Sequence, residues 1–292
     1  LACPYAGADD TPFNRAIGRI WLIAGVRRIR RPGTKFDTLL VIESPEGKNK
    51  SEALRILATR NDWFIDCLDL GAKPKDVIEQ TAGTWIVECG ELDGLTTREE
   101  GAIKSMLSRQ ADKARAAYGH FAERVERQFI ACGTTNEAEW LRNEGRRYWP
   151  VRVVRFNLVT LSRDVGQLWA EAAAAEALGE SITLPETLWV KAAEVRAERV
   201  MANPFQAKLR EAIELRPKDN QTWISAKDVW ETLCIFGAEQ DRAAKRVGQA
   251  MRNLGFERRR SKQRDEDHGL PRDAYYYELT QDQPSPVSGP TN

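Results

Sequence analysis

Histidine is scarce in this chain, with 2 in 292 residues, and methionine nearly so, with 3. Cys3, Cys67, Cys89, Cys132 and Cys234 are odd in number and nowhere at metal-ligand spacing. A zinc site is therefore not expected, and free thiols in a reducing cytoplasm are. Long hydrophobic runs are missing too. The most apolar early stretch, AIGRIWLIAGV (16–26), carries Arg19 and is too short to span a bilayer. No leader pattern precedes it. Neither sign of charge dominates, with 44 Lys and Arg against 43 Asp and Glu, so only local patches bear on a polyanionic partner. The 42% apolar content is enough for a core, and the length fits about two domains. The first residue is Leu1, which suggests a piece of a longer protein.

Residues 12–30 show helical periodicity, and DTLLVIE (37–43) is a nearly continuous apolar run, as a buried parallel strand requires. SEALRILATR (51–60) returns to helical spacing, and WFID (63–66) reads as a short strand. KPKDVIEQTAG (73–83) has Pro near its start and Gly at its end, as helices do. TWIVE (84–88) is a second buried strand. Residues 96–110 read as a helix with Thr97 and Glu100 at capping-box spacing. ERQFIACGTTN (126–136) reads as strand then loop, and 160–178 as a helix. Alternating strands and helices predict an α/β fold with a mostly parallel sheet. The expected limits are an N-terminal helical segment (1–35), a core (36–178), a linker or helical segment (179–203), a second unit (204–280) and a Pro/Ser-rich, disordered tail (281–292).

Glycine is missing where it would be most diagnostic. In VIESPEGKNKSEAL (41–54) a strand runs into Gly47, Lys48, Lys50 and Ser51 and then a helix, the setting of a phosphate loop. The two glycines of that pattern fall on Ser44 and Asn49. Asn tolerates the left-handed backbone better than most residues, so Asn49 is a mild replacement. Helix N-terminal amides attract phosphate, Lys50 is placed to reach the β- and γ-phosphates, and Ser51 to ligate Mg2+. The alternative is a surface strand–turn–helix with its lysines in water.

An ATPase also needs a carboxylate at a neighbouring strand end. Glu88 ends TWIVE and Glu91 follows; either one holds Mg2+ or orients water, or both are solvated loop carboxylates. Thr134, Thr135 and Asn136 end the next apolar strand, where open α/β sheets bind ligands, although such residues also cap ordinary loops. Arg146 and Arg147 precede Tyr148 and Trp149 and are placed to act as arginine fingers across a subunit interface, or form a surface charge run.

This ordered set, from Tyr5 to Val154, resembles the virulence-associated protein E family, P-loop ATPases of phages and mobile elements similar to superfamily-3 helicases. The resemblance implies an AAA-like ATPase that assembles as a homo-oligomeric ring, a hexamer in that family's pattern, moves on DNA, and takes ATP and Mg2+. A primase-like region upstream is implied as well. The family's Walker A maps to Gly47, Lys50 and Ser51, its acidic positions to Glu88 and Glu91, its sensor to Asn136, and its finger to Arg146 or Arg147. The departures are Ser44 and Asn49. Superfamily-3 relatives grip single-stranded DNA in the ring pore with a hairpin before the sensor. It matches 112–128 here, with Lys113, Arg115 and His120 for phosphates and Tyr118 for a base. The alternative packs Tyr118 in the core and pairs Asp112 with Arg115.

In the second unit, Ser225 is the expected N-cap of a helix over 225–235 and Gly255 ends a helix over 241–255. Residues 256–280 read as strand, charged turn, strand, which completes a winged-helix-like plan. Between 242 and 264 stand nine basic residues (Arg242, Lys245, Arg246, Arg252, Arg258, Arg259, Arg260, Lys262 and Arg264) against Glu257 alone, an excess suited to a duplex backbone. The alternatives are that DED (265–267) folds back on this run, or that it is a solvated charge run on a lid or assembly domain. The composite expectation is a cytoplasmic, ATP-dependent DNA helicase or translocase module. Its competitors are a non-enzymatic DNA-binding protein with an inactive loop, a monomeric small-molecule kinase, and an ATPase used for regulation or defence.

Overall fold

The computed structural model describes residues 1–66, 68, 74–115, 122–142, 145–201, 203–217, 222–261 and 274–280, which form two compact units, Leu1–Met201 and Ala202–Asn292. The first opens with α1 (Ala2–Ala6) and α2 (Pro12–Arg30). Thr11 caps α2 by accepting from the Asn14 amide at 3.1 Å, and Pro12 supplies the preset first turn. Then come β1 (Leu39–Glu43), α3 (Lys50–Ala58), β2 (Phe64–Ile65), α4 (Pro74–Thr81), β3 (Ile86–Cys89) and α5 (Thr97–Ser108). A hairpin of β4 (Ala111–Arg115) and β5 (Ala122–Glu126) leads into β6 (Ile130–Thr135), β7 (Tyr148–Arg152), α6 (Leu158–Ala177) and α7 (Trp189–Ala197).

Five strands form one sheet in the order β2-β3-β6-β1-β7, with every pairing parallel. The α/β expectation therefore holds, with a core compatible with a P-loop type. All five residues of β1 and all six of β6 are buried, because helices cover both faces. The period of two sorts them: Leu40 and Ile42 pack with α2, α3 and α6, while Leu39 and Val41 pack with α5. Three indole N–H groups fasten the first of these layers. Trp21 donates to the Ala131 carbonyl (2.9 Å), Trp85 to Gly25 (3.1 Å) and Trp169 to Leu57 (2.8 Å).

Residues 1–35 hold α1 and α2, and Phe13, Ile17 and Trp21 of α2 lie in the core under the sheet. Within 179–203, α7 buries Ala192 and Val195, and the first unit runs through to Met201. One expectation needs correction. The capping box of α5 is Thr96 with Glu99, one residue earlier than read, because tandem Thr and Glu pairs offer both registers. Glu100 instead pairs with Lys104 one turn on.

The second unit contains α8 (Pro204–Glu214), β8 (Trp223–Ser225), α9 (Ala226–Leu233), α10 (Ala238–Asn253), β9 (Phe256–Arg260) and β10 (Tyr275–Leu279). Its strands pair antiparallel in the order β8-β10-β9 over a core that includes Leu209, Val229, Val247, Met251 and Phe256. Ser225 caps α9 through the Asp228 amide at 3.0 Å, and Gly255 follows α10 at φ +87°. The tail 281–292 lies outside the described residues.

Candidate functional site

The carboxyl ends of β1, β3 and β6 converge on one cleft of about 400 Å³, lined by residues 46–52 with Asp66, Glu88, Gly90, Glu91 and 134–136. Its floor is the turn from β1 into α3. Gly47 stands at φ +75° and Asn49 at φ +63°, ψ +30°. Asn49 thus adopts the left-handed conformation that glycine normally supplies. Its side chain also donates to the Phe156 carbonyl at 3.3 Å, bracing the turn against the segment after β7. Ser44 is buried.

Lys50 reaches into the cleft. Its ammonium donates to the Ser44 carbonyl (2.6 Å), the Ser44 hydroxyl (3.2 Å), the Pro45 carbonyl (3.2 Å) and Asn136 Oδ1 (2.9 Å). Desolvation holds its pKa below the usual lysine value, opposed by the nearby Glu88, Asp93 and Glu46. Lys50 and Asn136, far apart in the chain, therefore face the same point.

Glu88 is buried at the end of β3. Its Oε1 accepts from Ser51 Oγ at 2.9 Å and from Thr134 Oγ1 at 2.7 Å, while its Oε2 is buried with no hydrogen-bond partner among the described residues. Burial pushes the Glu88 pKa up, against the two hydroxyls and Lys50, which favour the charged form. A buried carboxylate oxygen without a partner beside a serine hydroxyl suits a hard divalent cation. Mg2+ takes one or two protein oxygens and completes its shell with phosphate and water. Ser51 and Glu88 fit that role. Glu91 is exposed at the cleft mouth at φ +52°. Thr135 Oγ1 donates to Asp93 Oδ1 at 3.0 Å.

Sequence reasoning missed the clamp behind the loop. Glu43, the last residue of β1, is buried and accepts from Arg199 Nε and Nη2 at 3.1 Å and from the Trp140 indole at 2.8 Å. The Arg199 carbonyl in turn accepts from the Trp140 and Leu141 amides. No motif pairs residues this far apart in sequence, so nothing in the one-dimensional pattern signals it. Asp66, at the end of β2, was likewise not singled out.

Arg146 and Arg147 precede β7, at the end of the parallel sheet opposite their own loop. Arg147 is held in place: its Nη1 donates to the Lys104 carbonyl at 2.9 Å and its Nε lies 3.7 Å from Asp37. Arg146 is exposed and makes no ion pair with a described residue. Of the proposed DNA contacts in the hairpin, Lys113 and Arg115 stand in β4, whereas Tyr118 and His120 lie outside the described residues. Asp112 pairs with Arg127, which engages both of its carboxylate oxygens, and lies 3.6 Å from Arg109.

The cations of the second unit divide. The Arg246 guanidinium covers the Phe205 ring at 5.3 Å. Arg258 and Arg260 lie over the Tyr275 ring at 4.1 and 5.7 Å. Arg259 is neutralised by Glu257 (3.1 Å) and Glu278 (3.5 Å). Arg242 and Lys245 are exposed on α10. Lys262 and Arg264 lie outside the described residues.

The family model of the virulence-associated protein E-like domain matches residues 1–201. Two solved structures of the NrS-1 C-terminal region, both apo and in an A form, are similar at greater distance. One covers 93% of this chain and 78% of its own at 9% identity and a TM-score of 0.45. The other covers 92% and 75% at 10% identity and a TM-score of 0.46. No curated protein matches.

Proposed function

The chain belongs to the virulence-associated protein E-like domain family through residues 1–201, and from that premise we propose that it is a magnesium-dependent ATPase whose turnover drives movement along DNA. The observation that carries this reading is Glu88, buried beside Ser51 with one oxygen unpartnered, across the cleft from Lys50 and Asn136. Lys50 neutralises charge on the β- and γ-phosphates, and the first amides of α3 receive their oxygens. Ser51 and Glu88 would hold Mg2+, which would supply charge neutralisation on the phosphates when bound. Glu91, exposed at the cleft mouth, orients the attacking water. Asn136 contacts the γ-phosphate while bonded to Lys50, so its position reports which nucleotide is present.

Arg146 completes the site of a neighbouring copy. It stands at the far end of the sheet from its own loop, which supports action in trans and fits a head-to-tail ring such as a hexamer. In this reading the β4–β5 hairpin meets single-stranded DNA within the ring, a winged-helix-like second unit meets a nucleic-acid backbone, and the protein works in the cytoplasm as part of phage or mobile-element replication. Among the described residues no helix is long and apolar enough to cross a membrane.

The test is ATP hydrolysis with Mg2+, with and without single-stranded DNA, for the wild type and Lys50→Ala. DNA-stimulated turnover that disappears in the variant supports the reading. Absence of ATP binding at millimolar concentration in the wild type refutes it and leaves the non-enzymatic DNA-binding protein.

A further inference from the structure

Between α10 and β9 runs a groove of about 440 Å³, with Lys245, Gly248 and Arg252 on its helical wall and Phe256 and Arg258 on its strand wall, above Tyr277. Positions 245, 248 and 252 fall on one face of the helix. Arg252 Nη2 donates to Gln249 Oε1 at 3.0 Å, which orients the guanidinium. A side chain at Gly248 would meet nothing nearer than Arg252 at 3.7 Å, so the helix backbone is open to close approach there.

The alternation of β9 sorts its charges. Arg258 pairs across the ribbon with Tyr277 and Arg260 with Tyr275, so these four share one sheet face with buried Phe256. Glu257 and Arg259 point the other way. Glu257, although at the groove, has its carboxylate engaged by Arg259 at 3.1 Å, and Glu278 lies 3.5 Å from the same guanidinium. One face of the ribbon therefore presents Arg258 and Arg260, and the other sets Arg259 against two carboxylates. Cationic charge also continues past the groove along α10, to the exposed Arg242. A row of charge that extends beyond the groove matches a repeated anion better than a single one.

We propose that this groove seats a nucleic-acid phosphodiester backbone, held by Lys245, Arg252 and Arg258, and that Arg259 takes no part. The assignment deepens the nucleic-acid half of the proposed function and is independent of ATP hydrolysis. It also departs from the sequence-level expectation, which gave Arg258, Arg259 and Arg260 equal weight.

The experiment measures binding of the full chain to labelled 20-mer duplex and single-stranded DNA between 50 and 200 mM NaCl, without nucleotide. Arg252→Gln and Arg258→Gln are each expected to weaken binding about tenfold at the lower salt and to flatten the log K against log[salt] slope by about 0.7–0.9, one phosphate contact. Arg252→Lys and Arg258→Lys should keep that slope, and Arg259→Gln should change affinity less than twofold. Lys50→Ala should bind DNA as the wild type does, so a failed ATPase reading leaves this one standing. Equal losses from Arg259→Gln and Arg252→Gln, or displacement of DNA by low-millimolar inorganic phosphate, would overturn the proposal.

Discussion

Replacing Glu88 with Gln should stabilise the metal-free protein while disabling it. The Gln carbonyl keeps both acceptor bonds, from Ser51 and Thr134. The substitution removes a buried charge whose desolvation outweighs the favourable terms, as the raised Glu88 pKa shows. Its new amide group takes the place of the unpartnered Oε2, so part of the gain is lost. An unsatisfied buried polar group costs about 1–3 kcal/mol, more when charged, which puts the net gain at about 1 kcal/mol. For a unit of this size that is about 2–4 °C in Tm. The pH dependence has a definite sign. A carboxyl whose folded pKa lies above its unfolded value of 4.5 binds its proton more tightly in the folded state. Its stabilising contribution is full below that value and is lost as pH rises through the folded pKa. The gain from Gln therefore grows with pH across this window and levels off above it. Saturating Mg·ATP reverses the ranking. Ligand at a hundred times its Kd stabilises the wild type by about 2.7 kcal/mol, whereas the variant loses the metal-dependent share of that term. The assay is thermal melting at pH 7 in EDTA and again in Mg·ATP, alongside turnover. A variant that melts below the wild type in EDTA, or that shows the same Mg·ATP shift, would refute the assignment of Glu88 to the metal.

The two arginines before β7 should separate. Arg146→Ala is expected to lower turnover about 10³-fold, the lower end for a trans-acting arginine, without moving Tm; Arg147→Ala should lower stability by about 1–2 kcal/mol through its lost bond to the Lys104 carbonyl. Steady-state turnover under assembly conditions, paired with melting curves, distinguishes them, and the opposite pattern would reverse the roles. Arg199→Met strands the Glu43 carboxylate, so a loss of about 3–5 kcal/mol is expected in denaturant titration. Glu43→Gln in that background should recover part of it, and failure to recover would show that the clamp acts through something other than charge.

Much of the fold was legible because its strands are buried on both faces and so read as unbroken apolar runs. The ones that escaped had reasons. Tyr148–Arg152 contains Pro150, which argues against a strand; β7 sits at the edge of the sheet, where one side needs no ladder and Pro is tolerated. The helix over 189–197 buries only Ala192 and Val195, too little periodicity to distinguish it from a linker. Capping of α5 slipped by one residue because sequence spacing alone cannot choose between Thr96–Glu99 and Thr97–Glu100.

At the cleft, residue types were legible and couplings were not. Strand ends announced Glu88 and Asn136, since polar residues there break an apolar run and must face the carboxyl edge of the sheet. The bond between Lys50 and Asn136, and the one between Glu43 and Arg199, depend on how strands are ordered side by side, which a local pattern does not encode. The missing glycines are explained by geometry of two different kinds. At 49 the backbone needs a left-handed residue, and Asn meets that need while its amide finds the Phe156 carbonyl. At 44 no positive φ is required, and the serine hydroxyl instead becomes one of the acceptors of Lys50. The motif is thus altered at two positions while the placement of its lysine and serine at the head of α3 is retained, and a departure in sequence need not be a departure in the chemistry the loop offers to a phosphate.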